Sequence, residues 1–170
     1  MLELISQKIN QVNEILGRLV AWLVVVMVVL TFYDVLMRYL FQSGSIALQE
    51  LEWHLFSVIL LLGAAYTLKH RNHVRVDLIY ASSQLSDRQR DIIDLFGDVF
   101  LLLPFCLLII SSAAPFIETA YLANEHSPDP GGLSHRWILK SMIPLGFTLL
   151  ALQAIAESIS IAHKLLRKEY

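Results

Sequence analysis

The stretch LVAWLVVVMVVLTFY, residues 19–33, carries no charge and, apart from Thr31, only apolar or aromatic side chains. It extends to Phe41 through Asp34 and Arg38. A helix crossing the hydrocarbon core of a bilayer needs about 20 predominantly apolar residues, and this run supplies them. A cleaved signal peptide does not fit, because the run is too long and no small-residue cleavage pattern precedes Asp34. Working outward, three more segments have the same character. Residues 53–68 form one; residues 99–117 are uncharged, in a helix expected to start near Ile92; residues 141–162 are interrupted only by Glu157. The expected spans are about 19–41, 53–68, 92–117 and 139–162. Backbone polar groups cannot be left open to lipid, so an all-α bundle of four transmembrane helices is the expected fold.

The composition agrees. Hydrophobic residues make up 56% of the 170 positions and charged residues 16%, against roughly 25% charged in soluble domains. A chain of this length is expected to form a single membrane domain, with no soluble one beside it. The net charge of −2 gives no overall pull toward nucleic acid. The lone cysteine, Cys106, excludes a disulfide framework and reads as a small buried hydrophobe. No Ser/His/Asp or Cys/His set, phosphate-cradling glycine loop or HExxH occurs, so neither an enzyme nor a cofactor or metal site is expected. No internal repeat points to a self-sufficient transporter.

Orientation is read from the loops. Ten of the thirteen Lys and Arg residues fall before span one, between spans two and three, or after span four. The densest cluster is KHRNHVRVD, residues 69–77. By the positive-inside rule this loop and both termini are cytoplasmic. His70 and His73 lack further ligands and sit among Lys69, Arg71 and Arg75, so a metal site is disfavoured. Asp77, Asp87 and Asp91 dilute the patch as a nucleic-acid surface. Contact with anionic lipid headgroups suits it better.

Several polar features remain. Leu2, Ile5, Ile9, Val12 and Leu16 recur at helical spacing, so residues 1–17 are expected as an amphipathic helix in the interface, or else as a straight extension of span one. Ser86 and Gln89 form a capping-box pattern, followed by Asp91, Asp94 and Asp98 on one stripe. Asp98 lies deepest and is expected to face protein or water, more plausibly a partner than a proton relay. Asp34 and Arg38, four apart, are expected to pair along their helix. Pro104 and Pro144 are expected to interrupt helices, and Gly63-Ala64-Ala65 offers a small-residue face for close packing. In HSPDPGGLSHRW, residues 126–137, the prolines and glycines predict a turn. Arg136 and Lys140 then crowd a helix N-terminus, where the macrodipole disfavours cations. A compensating anion is expected: lipid phosphate, an acid of this chain such as Glu118 or Glu125, or a partner.

At GAAYTLKHRNHVRVDLIY, residues 63–80, the chain resembles the small membrane subunit of TRAP transporters, the tripartite ATP-independent periplasmic transporters. ALQELEWHLF, SDRQRDIIDLFGD, SPDPGGLSHRWILKSMIPLGF and LALQ extend the resemblance over residues 46–153, with Ser134 standing where the family pattern has Pro. The resemblance implies a small four-helix scaffold in the bacterial inner membrane. Its partners would be a large elevator-type membrane subunit and a periplasmic solute-binding protein, serving sodium-coupled uptake of a small organic acid. Residues expected at partner interfaces are Asp34, Arg38, Asp98, Glu125, Asp129, Arg136 and Lys140.

Two other classes compete. A haem-binding membrane anchor of a respiratory enzyme would need paired histidines; His54 and His163 lie at opposite ends of their spans and cannot share one haem, whereas His163 with His70 or His73 is conceivable. A free-standing channel or small exporter would work without partners.

Overall fold

The computed structural model describes residues 2–70 and 85–167. Four helices carry the chain: α1 (Leu2–Leu40), α2 (Ile46–Lys69), α3 (Asp87–Leu122) and α4 (Trp137–Arg167). Each is long and apolar enough to cross a membrane, and no strand occurs among the described residues. The chain is an all-α, multi-pass membrane protein.

The surface supports this in detail. Trp22, Val25, Val29 and Phe32 are exposed on α1, while Asp34, Glu50, Asp91 and Asp98 are buried. That inverts the usual pattern of a water-soluble protein and suits a bundle whose solvent is hydrocarbon. Local signals start the helices. Ser45 caps α2 by accepting a hydrogen bond from the Leu48 N–H. Ser86 and Gln89 exchange both bonds of the expected capping box at the start of α3.

α1 has 39 residues, or about 58 Å at 1.5 Å per residue, roughly twice the ~30 Å hydrocarbon core. Residues 2–17 and the apolar run form one uninterrupted helix. Ile5, Val12 and Ile15 point outward, whereas Ser6 and Asn13 are buried. The polar stripe is therefore the one that packs.

α4 is the central helix. It packs against α1, α2 and α3, and α1 also packs against α2, whereas α3 rests mainly on α4. The interior is built from small side chains, with Ala65, Cys106, Ala113, Ala120, Ala154 and Ala156 all buried. Small residues let helix backbones approach closely, as membrane packing without a hydrophobic driving force requires. Two glycines set the closest approaches. A Cβ at Gly146 would lie 2.7 Å from the Leu61 carbonyl oxygen of α2, and one at Gly17 would lie 2.1 Å from the Tyr66 ring. Ala65 of the expected small-residue face is buried, but a Cβ at Gly63 would meet nothing closer than 3.7 Å.

The prolines correct an expectation. Neither Pro104 nor Pro144 interrupts its helix. Proline cannot donate to the carbonyl four residues earlier and its ring crowds that carbonyl. Ahead of Pro104 the chain widens into a π-helical turn over Gly97–Leu102, which absorbs the mismatch. At Pro144 α4 runs on although the Lys140 carbonyl loses its N–H donor; separately, the Thr148 hydroxyl donates to the Pro144 carbonyl at 2.6 Å.

Candidate functional site

Polar chemistry gathers at both ends of the bundle. At the end opposite the termini, the connection after α3 folds back over the start of α2. Its turn is made by the Gly132 N–H donating to the Asp129 carbonyl, and by Gly131 at a φ of 84° that favours glycine. The Ser127 N–H closes the loop on the Leu133 carbonyl. The Glu50 carboxylate, buried in the first turns of α2, holds this loop down. It accepts hydrogen bonds from the Ser127 hydroxyl and from the Leu133 N–H. A Cβ at Gly132 would come within 2.8 Å of the same carboxylate, so the fit leaves no room for a side chain there.

The expected cations sit on this cap. Lys140 pairs with Glu125 at 2.5 Å and lies 3.9 Å from the Phe116 ring centroid. The Arg136 guanidinium stacks over Trp53, 5.4 Å from the ring centroid, and the Arg136 backbone N–H donates to the Glu125 carbonyl. Trp137 opens α4, packed edge-on against Tyr121. Of the anions considered for these cations, Glu125 is therefore the one in place for Lys140. Glu125, Arg136 and Lys140 thus form one cluster, with the exposed Asp129 on the adjoining turn.

The in-span charges lie apart from this cluster. Asp34, 1% exposed, is bridged by Arg38 one turn on, as the spacing predicted. Its Oδ2 takes that bridge and its Oδ1 has no partner within the described residues. Asp98 is buried in the π-helical turn, which packs against α4. Asp91, from the same stripe, accepts from Lys164 of α4 at 2.6 Å. Asp98 therefore belongs to the α3–α4 seam.

At the end bearing the termini, α1 is sewn to α4. The Asn13 side-chain amide donates to Gln153 at 2.7 Å, and Gln153 in turn donates to Asn10 at 3.0 Å. The Ser6 hydroxyl donates to the Ala156 carbonyl at 3.2 Å. Beside this ladder, Glu14 receives Lys69 at 2.6 Å and Arg18 at 3.3 Å, and His70 Nε2 lies 3.1 Å from it. Most of KHRNHVRVD, including His73, Arg71 and Arg75, lies outside the described residues.

Sequence reasoning missed Glu50, Ser127, Asn10, Asn13 and Gln153. For Asn13 and Gln153 the available signal was a polar side chain on an otherwise apolar helix, most visibly Gln153 in span four; Glu50, in a polar first turn, and Ser127, in a loop, carried no such signal. Among the described residues no group of three or more His, Cys, Asp or Glu side chains is arranged to hold a metal ion. His54 is engaged by the Glu50 carbonyl at the cap.

Among the described residues the arrangement brings together a charged cap at one end and polar helix seams at the other. A comparison with protein families bears on this directly. The family model described as "Tripartite ATP-independent periplasmic transporters, DctQ component" matches residues 27–163, which include every candidate interface residue named above. No curated protein matches the chain. The haem-anchor alternative has no support from this match. The chain belongs to the DctQ-component family, the small, non-enzymatic membrane subunit of the TRAP transporters, which work with a large subunit and a binding protein.

Proposed function

We propose that this subunit is a scaffold that supports the large membrane subunit and helps seat the periplasmic binding protein during sodium-coupled uptake of a small organic acid. In this reading it lies in the bacterial inner membrane with both termini in the cytoplasm, residues 2–17 carry α1 straight on from the first span at the inner face, and the cap faces the periplasm. The charge asymmetry of the loops supports that orientation. The observation that carries the docking role is the cap itself. Glu50 fastens the loop to α2, so Asp129 and Arg136 are presented on an ordered surface. Preorganised charges of this kind steer a soluble partner and set its register. Asp34 and Arg38 are assigned to a seam with the large subunit, whereas Asp98 is taken up by the α3–α4 seam of this chain.

Two charge reversals test this. Arg136→Glu and Asp129→Lys should each weaken uptake that depends on the binding protein, more at low than at high ionic strength, while the small and large subunits still co-purify. Arg136 also stacks on Trp53; Asp129 is exposed, so its reversal is the cleaner probe. Uptake unchanged by either variant across ionic strengths would leave the cap without a docking role.

A further inference from the structure

We propose that the groove between the first turns of α1 and the end of α2 is a binding site for the headgroup of an anionic phospholipid. The inference rests on reading the start of α1 as lying at the bilayer edge, and does not depend on the docking role of the cap. The groove is lined by Asn10, Gln11, Glu14, Ile15, Arg18 and Lys69 and encloses about 380 Å³, within the roughly 300–1,000 Å³ typical of small-ligand sites.

Its charge selects the ligand. Among the described residues Arg18 and Lys69 bring two positive charges and Glu14 one negative charge, a surplus of one cation. Arg18 spends only its Nε on Glu14, at 3.3 Å, and its side chain is 77% exposed. Its two terminal NH2 groups form a fork suited to a phosphate oxygen pair. Glu14 already takes Lys69 at 2.6 Å and His70 at 3.1 Å besides Arg18. The amine of a zwitterionic headgroup would therefore find its acceptor occupied, whereas a headgroup with net negative charge needs none.

The surroundings select a lipid over a soluble anion. Ile15 lines the groove, and Leu19 and Trp22 follow on the exposed face of the same helix, Trp22 at 70% exposure. A tryptophan one turn beyond an arginine, at the beginning of an apolar run, marks the level where headgroups give way to acyl chains. Phosphate at Arg18 and Lys69 then places the glycerol and upper acyl chain against Ile15, Leu19 and Trp22. A basic site at this depth is stabilised by roughly 1 kcal/mol per Lys or Arg facing anionic lipid, or about fivefold in affinity.

The test uses the assembled transporter in phosphatidylcholine nanodiscs titrated with phosphatidylglycerol, reading by mass spectrometry the phosphatidylglycerol retained per small subunit after mild extraction. Arg18→Gln should weaken retention about fivefold, and Arg18→Lys, which keeps the charge but loses the fork, should recover only part of it. Lys8→Gln removes an exposed cation that does not line the groove and should leave retention at the wild-type level. Arg18→Gln retaining as much lipid as wild type would overturn the site. So would an equal loss from Lys8→Gln, which would mean diffuse attraction only. Displacement of the lipid by inorganic phosphate at equal concentration would reassign the groove to soluble anions and overturn the lipid.

Discussion

The ladder that sews α1 to α4 predicts a specific pattern of coupling. Gln153 is 1% exposed and Asn13 is 2% exposed, and the two meet across 140 residues of sequence. Gln153→Leu keeps the volume and the helix propensity but leaves the Asn13 amide buried without an acceptor. An orphaned buried polar group costs about 1–3 kcal/mol. The Asn10 oxygen, which also loses its partner, lines the solvent-facing groove and can turn to water, so it adds little. Within a bilayer the measured worth of such interhelical bonds is lower, about 0.6 kcal/mol on average with a maximum near 1.7. Because Asn13 lies in the part of α1 that precedes the apolar run, the higher range applies, and a loss of about 2 kcal/mol is expected for Gln153→Leu. Asn13→Ala should cost a similar amount by orphaning Gln153. The double variant removes both partners together, so it should be less destabilised than the sum of the singles by about 1–2 kcal/mol. Reversible unfolding in mixed micelles, followed by far-UV circular dichroism, measures all corners of the cycle. Strict additivity of the two substitutions would refute the reasoning, because it would mean the amides do not bear on each other in the folded bundle.

Other expectations follow from the packing, the cap and the assembly. Gly146→Ala should cost about 1–3 kcal/mol, because its Cβ meets backbone at Leu61, which cannot step aside; Gly63→Ala, with open space, should be neutral or mildly stabilising, and an equal loss from both would contradict the close α2–α4 approach. Glu50→Ala should free the cap, raising hydrogen exchange at the Leu133 amide by about tenfold; unchanged exchange would show that the loop holds without the clasp. Co-expression with the large subunit should raise the recovery of monodisperse protein in mild detergent, given the buried charges Asp34 and Asp98; a lone chain of equal thermal robustness would count against the scaffold reading. Replacing His70 and His73 together with Gln should leave transport by the assembled system near normal, and a loss rescued by zinc would reveal a metal role.

What the sequence determined by itself was everything carried by local chemistry. A run such as residues 19–33 can only satisfy its backbone in lipid by forming a helix, so the four spans were legible wherever apolar residues ran long enough. The Ser86–Gln89 capping box and the Asp34–Arg38 pair were legible for the same reason, since partners three or four residues apart are fixed by the helix repeat itself. The turn at Pro130 and Gly131 was read from residue conformational limits. Tertiary structure alone decided which helix faces meet. Nothing in the sequence spacing joins Asn13 to Gln153, Glu50 to Leu133, or Lys69 to Glu14. Periodicity reports that a face is polar or apolar and is silent about the face opposite. The same holds for Pro104, where the widening into a π turn places Asp98 in the α3–α4 seam. In a bilayer a buried polar group must find its partner inside the protein, and that partner is chosen by how four helices pack, with Gly17 and Gly146 setting how closely they can come.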